Sequence, residues 1–100
     1  MLTLDRVVGF EWDEGNARKS ADKHAVSRAE AEQVFFNEPL VVAADTAHSR
    51  SEPRFHALGH TDAGRRLHVT FTLRADGSLL RVISARDMSR KERRIYAQAV

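Results

Sequence analysis

The 100-residue chain has no cysteine, which excludes disulfides, thiolate chemistry and cysteine-ligated metal sites. A chain without disulfides fits the cytoplasm, the expected location. No apolar run approaches the roughly 20 residues that cross a bilayer, so no membrane partner is expected. The opening Met1-Leu2-Thr3-Leu4-Asp5-Arg6 lacks the basic-then-apolar order of a secretory signal. There is no repeat, no low-complexity tract, no Gly-rich phosphate loop, no nucleophile elbow and no His-Glu-x-x-His run. What remains is an ordinary globular composition, 42% hydrophobic and 30% charged. It is enough for one domain over residues 1–100 with one modest core.

What is present is polarised charge. Residues 50–100 carry eleven Lys and Arg against five acids, a net +6; residues 1–49 carry five against nine, a net −4. Ten of the eleven basic residues in the second half are arginine. A guanidinium is a planar fork that stays charged and meets phosphate with two parallel hydrogen bonds. An arginine-biased basic half on a small chain points to nucleic acid.

The hydrophobic pattern reads as helices first and strands afterwards, an α+β chain. Asp13 is an N-cap for a short helix over about residues 14–24, with Ala17, Ala21 and His24 on one face. Ser27-Arg28-Ala29-Glu30 is a capping box that opens a second N-terminal helix, and Pro39 stops it. Leu40–Ala44 is an apolar run, and residues 45–53 read as loop. Strands over 54–61, 65–74 and 78–86 follow, joined by Asp62-Ala63-Gly64 and by a hairpin around Asp76-Gly77. The expectation is an antiparallel meander sheet of about four strands. A second capping box, Ser89-Arg90-Lys91-Glu92, opens a C-terminal helix through Tyr96.

The turns set the register. Pairs across Asp76-Gly77 sum to about 153, and pairs across residues 62–64 to about 126. Alternation then gives a core face of Phe55, Ala57, Leu67, Val69, Phe71, Leu73, Leu80 and Val82, covered by helices. The opposite face collects Glu52, Arg54, His56, His60, His68, Thr70, Thr72, Arg74 and Arg81, with Leu58, Leu79 and Ile83 as apolar exceptions. Glu52 falls opposite Arg74, and Arg54, Thr72 and Arg81 form a row. Arg86 falls on the other parity, at its strand end. An Arg- and His-rich sheet face is a candidate phosphate site, whereas a merely solvated face carries more threonine and lysine. His56 and His60 lie about 13 Å apart on a strand, too far to share one ion, so no metal and no cofactor is expected. His24 reads as a packed histidine and Glu92 as part of its capping box. Tyr96 docks the last helix, and Arg90–Arg94 form a solvated helix face or a nucleic-acid patch.

Several segments, in order, resemble the BrnT toxins. They are Phe10-Glu11-Trp12-Asp13, Lys23-His24-Ala25-Val26-Ser27, His48-Ser49, Glu52-Pro53-Arg54-Phe55 and Gly64-Arg65-Arg66-Leu67-His68-Val69. Thr72-Leu73-Arg74, Ile83-Ser84-Ala85-Arg86 and Glu92-Arg93 with Tyr96 complete the set, so the resemblance covers residues 10–96. Asn16, Ser20 and Ala25 depart from the family's usual lysine, asparagine and glycine. The resemblance implies a RelE-like fold and a bacterial ribonuclease toxin of a type II toxin–antitoxin pair. The implied partner is a BrnA-like ribbon-helix-helix antitoxin, which binds operator DNA.

Metal-free RNA cleavage uses the substrate's 2′-hydroxyl as nucleophile. The enzyme activates that hydroxyl, neutralises the phosphorane and lets the 5′-oxygen leave. Arg54, Arg74, Arg81 and Arg86 suit charge stabilisation. Glu52 is a candidate base, and His56 or His48 a candidate base or acid. The expected catalytic set is Glu52, Arg54, His56, Arg74 and Arg86, with Lys19, Lys23, Arg65 and Arg81 binding RNA. The alternative is a module that binds nucleic acid or docks an acidic partner without catalysis.

Overall fold

The computed structural model describes residues 4–16, 24–47 and 52–99. Its strands are β1 (Gly9–Glu11), β2 (Val41–Asp45), β3 (Arg54–His60), β4 (Arg66–Arg74) and β5 (Leu79–Asp87). Its complete helices are α1 (Arg28–Gln33), which tightens into a 3₁₀ turn at Val34–Phe36, and α2 (Arg90–Ala97). Both helices start at the serines read from sequence. Ser27 Oγ accepts the Glu30 amide while Glu30 accepts the Ser27 amide, and Ser89 and Glu92 repeat the exchange. Asp13 Oδ1 accepts the Asn16 amide at 2.9 Å, an N-cap contact. Residues 14–16 and 24 are helical, and the stretch between them lies outside the described residues.

Among the described residues the sheet has five strands in the order β1-β5-β4-β3-β2, not about four in a purely antiparallel meander. β1 adds to β5 in parallel, Gly9 beside Leu79 and Glu11 beside Arg81. Three residues are too few to show alternation, so this strand left no periodic trace. The second N-terminal helix is also shorter than the sequence pattern implies. α1 is six residues long, and its 3₁₀ continuation packs close over Gly59. A Cβ at Gly59 would lie 2.6 Å from Val34 Cγ1, so this approach needs glycine.

Register follows the turns as read. Phe55 to His60 pair with Phe71 to Arg66, summing to 126. Arg74 to Phe71 pair with Leu79 to Val82, summing to 153. The sum then steps to 154, because Thr70 faces Ser84 and Ile83 is the extra residue of a β-bulge. Beyond the bulge the parity of β5 is inverted. Ala85 joins the core, and Arg86 comes to lie beside His68 on the polar face. The sequence-derived placement of Arg86 is therefore corrected. The buried Asn16 holds this point, donating from Nδ2 to Val82 O at 2.9 Å and to Glu11 O at 3.3 Å.

The two sheet faces are both used. Val26, Ala31 and Val34 from the α1 side bury Ala57, Leu67, Val69, Phe71, Leu80, Val82 and Ala85. Phe35 stands edge-on to Phe71 with centroids 5.2 Å apart. α2 crosses the opposite face, where Tyr96, Met88, Leu58 and Val41 form a second cluster. That explains Leu58, an apolar residue on the polar parity. Tyr96 donates to Pro39 O at 2.6 Å and meets His60 Nδ1 at 2.7 Å. His60 thus docks the helix. No helix of the described residues is long and apolar enough to cross a membrane.

Asn16→Ala removes the donor to a buried carbonyl at the bulge. The expected cost is about 1–3 kcal/mol, read as a lower urea midpoint with unchanged slope. An unchanged midpoint shows that the bulge holds itself.

Candidate active site

Two polar clusters stand on the α2-bearing face. The first lies at the β1 end. Arg74 Nη2 donates to Glu52 Oε1 at 3.0 Å and Arg74 Nη1 to Glu11 Oε1 at 3.3 Å. Arg81 donates to Glu11 at 3.0 Å and to Asp13 at 2.8 Å. Asp13 is held below the usual carboxylate range by the Asn16 amide and by Arg81. The buried Thr72 donates to Pro53 O and so fixes the chain that presents Glu52. The acidic first half and the basic second half neutralise each other here.

The second cluster is a continuous hydrogen-bonded chain across β2, β3, β4 and β5. Asp45 Oδ2 lies 2.8 Å from His56 Nε2, and His56 Nδ1 lies 2.8 Å from His68 Nε2 and 3.1 Å from Thr70 Oγ1. His68 Nδ1 lies 2.6 Å from Arg86 Nη2. A guanidinium only donates, so His68 Nδ1 accepts and its own proton sits on Nε2. His68 then donates to His56, and His56 donates to Asp45. Every donor in the chain points toward Asp45.

Glu92 closes the far end from α2. It accepts from Arg86 Nη1 and Nη2 at 2.8 and 2.9 Å, a bidentate pair, and its Oε2 stands 2.9 Å from His68 Nδ1. Its side chain retains 19% exposure. Burial raises the Glu92 pKa, but hydrogen bonds from Arg86 and the Ser89 amide outweigh it and hold the carboxyl at about 2. Burial pushes His68 below the ordinary imidazole value; the Arg86 charge pushes the same way, against the pull of Glu92. His68 is thereby kept neutral, an acceptor in search of a proton.

The residues expected from sequence divide between these clusters. His56 and Arg86 meet in the second. Glu52 and Arg74 form an ion pair in the first, with Arg74 Nε 2.8 Å from Glu52 Oε2. Arg74 is six residues from His68 along β4, about 20 Å, so the expected five do not share one reacting centre. Arg54 is exposed at the start of β3, in register with Asp45. Arg81 pairs with Glu11 and Asp13.

Arg65 is on the α1 side of the sheet. It donates to Asp87 at 2.7 and 3.1 Å, to Glu30 at 3.1 Å and to the carbonyls of Ala25 and His24 at 2.9 and 3.3 Å. With five donors so engaged, it ties α1 to β5. Lys19, Lys23 and His48 lie outside the described residues. Sequence reasoning passed over Asp45, assigned to a loop, and gave Glu92 only its capping role. His68 had a signal in its parity beside His56. Among the described residues no three His, Asp or Glu side chains converge as metal ligands.

The Glu92 shift predicts acid behaviour. Its folded pKa lies near 2, below the ordinary 4.5. Between those values the unfolded chain binds more protons, so stability is lost as pH falls through that window. The urea midpoint of the native protein should therefore drop more between pH 5 and pH 3 than that of Glu92→Gln. Parallel pH profiles contradict the pairing.

Comparison with known proteins bears on this site. The profile of the family described as "Ribonuclease toxin, BrnT, of type II toxin-antitoxin system" matches residues 12–92. A crystal structure of the Brucella abortus ribonuclease toxin BrnT is similar with a TM-score of 0.55 and 23% identity. The similarity covers 82% of this chain and 97% of that one, and it shows the shared α+β fold. None of the curated proteins matches the chain. The matched span takes in β2 to β5 and Glu92, every residue of the Asp45–His56–His68–Arg86–Glu92 chain, and the protein belongs to the BrnT family of type II toxin–antitoxin ribonuclease toxins.

Proposed function

We propose that this chain is an endoribonuclease toxin that cleaves RNA without a metal ion, at the His68–Arg86 end of the hydrogen-bonded chain. The observation that carries the reading is a half-buried histidine whose Nδ1 meets a bidentate arginine, backed by His56 and Asp45. These groups supply a proton acceptor and phosphate donors at one point.

The Arg86 fork is closed on Glu92 in the resting protein. A scissile phosphate takes the same donors by replacing the carboxylate. His68 Nδ1 then faces the substrate and takes the proton of the 2′-hydroxyl. As it does, its Nε2 proton shifts along the hydrogen bond to His56, and Asp45 stabilises the resulting imidazolium. The 2′-oxygen bonds to phosphorus and the P–O5′ bond breaks. The 5′-oxygen leaves with a proton drawn from water, and the relay returns its proton to water. The products are a 2′,3′-cyclic phosphate and a 5′-hydroxyl. Arg86 neutralises the charge that grows on the phosphorane. Arg74, Arg81 and Arg54, on the same face at the other end of β3–β5, track the RNA backbone rather than the reacting bond, and Glu52 orients Arg74.

A toxin of this kind is held inactive by its partner. The partner proposed is a BrnA-like ribbon-helix-helix antitoxin, encoded beside this chain in the same bacterial cytoplasm. An acidic or amphipathic segment of it covers the polar face, and its other part dimerises on operator DNA. The family assignment supports the antitoxin class, and the clustered arginines support an acidic cover. Co-expression with that neighbour should restore growth and suppress cleavage; a neighbour that neither binds nor rescues removes this partner.

Purified protein should cut RNA in excess EDTA. His68→Ala and Arg86→Ala should each lower the rate by about 10²-fold or more. Arg94→Ala, on the exposed side of α2, should leave it intact. Cleavage that needs added magnesium, or equal activity in all three folded variants, refutes the mechanism. Glu92→Gln weakens the internal competitor for Arg86. It should bind a non-cleavable 2′-O-methyl RNA several-fold more tightly than the native protein, by about 1 kcal/mol for a charged pair of this exposure. Unchanged or weaker binding shows that phosphate does not use these donors.

A further inference from the structure

Beside the His68–Arg86 end runs a groove of about 310 Å³. Val41 and Ala43 of edge strand β2, Leu58 of β3 and Ile95 of α2 form its walls. His56, His68 and Glu92 form the wall it shares with the reacting centre. The groove is thus apolar everywhere except where it meets the relay. Ile95 is 45% exposed although it is a large apolar side chain, and it stands at the mouth.

We infer that this groove seats the nucleobase next to the scissile phosphate and makes the enzyme prefer a purine there. The inference rests on the nuclease reading above. Three observations argue for a base. The groove is lined by His68 and Glu92, which both contact Arg86, so a nucleotide held by Arg86 places its own base within reach. Its volume is at the low end of small-ligand sites, about 300–1,000 Å³, enough for one splayed base and not for a stacked strand. Its walls are aliphatic, with two imidazoles and a carboxylate at one end, so they desolvate a base plane and offer few groups to read its edge. Recognition by buried apolar area rather than by a hydrogen-bond pattern favours the larger ring system, which removes more surface from water. Val41 and Leu58 also belong to the cluster that docks α2. Ala43 is exposed, so Ala43 and Ile95 are the positions that tune the groove without dismantling the fold.

The test is a randomised RNA pool digested to low conversion, with the cut ends sequenced. The native protein should cut beside purines about tenfold more often than beside pyrimidines. Ala43→Phe fills the groove and Ile95→Ala removes a wall; both should lose most of that bias, with a larger effect on KM than on kcat. In parallel, a 2-aminopurine trinucleotide with 2′-O-methyl riboses is titrated by fluorescence. It should be quenched on binding the native protein and not Ala43→Phe. Cleavage whose base bias is absent, or is the same in all three proteins, overturns the groove assignment and leaves the nuclease reading standing. Quenching that depends on Ala43 without any cleavage does the reverse. If Ala43→Phe fails to fold, Ile95→Ala carries the comparison alone.

Discussion

One extra residue in β5 decides what this protein presents to a substrate. Without the bulge at Ile83, alternation from the Asp76-Gly77 turn sends Arg86 to the core side of the sheet. With it, Arg86 stands beside His68 and within reach of Glu92. Bulges recur next to active sites because they re-aim a side chain, and this one does so for the arginine that meets phosphate. Asn16 ties the bulge to the end of β1 through Val82 O and Glu11 O. Asn16 is therefore a structural clamp here.

The same face shows how charge is divided. The excess of arginine in the second half of the chain is not left bare. Glu11 and Asp13 come from the acidic first half to meet Arg74 and Arg81, and Glu30 meets Arg65 on the other side of the sheet. Exposed pairs of this kind contribute little each, about 0–1 kcal/mol, and are readily exchanged for phosphate. Glu92 is different. It is held from two sides, by Arg86 and by the Ser89 amide. A helix cap and an anion stand-in share one carboxylate, which couples the start of α2 to the state of the site.

Much of this was legible in the sequence and some was not, for physical reasons. Hairpin turns carry their register with them, so the 126 and 153 pairings and the Glu52–Arg74 pair followed from two glycine turns. The capping boxes were legible because they are local. The bulge was not, since Ile83 has no composition that marks it and the Asn16 contact beside it comes from far along the chain. β1 was too short to show a period. The side on which α2 packs was hidden as well, because a short helix pattern does not say which sheet face it meets. Leu58 and His60 were the clue, an apolar and a polar residue on one parity that both proved to face Tyr96 and its neighbours. Asp45 ends a strand that read as already finished, so its place beside His56 needed three dimensions.

The most direct measurement is a structure of the protein with a short RNA whose reacting 2′-hydroxyl is replaced by hydrogen. The account predicts a phosphate within hydrogen-bond distance of Arg86 and His68 Nδ1, with Glu92 withdrawn from the fork and the His56–Asp45 contact intact. A phosphate seated on Arg74 and Arg81 alone, with the Arg86–Glu92 pair unbroken, contradicts it.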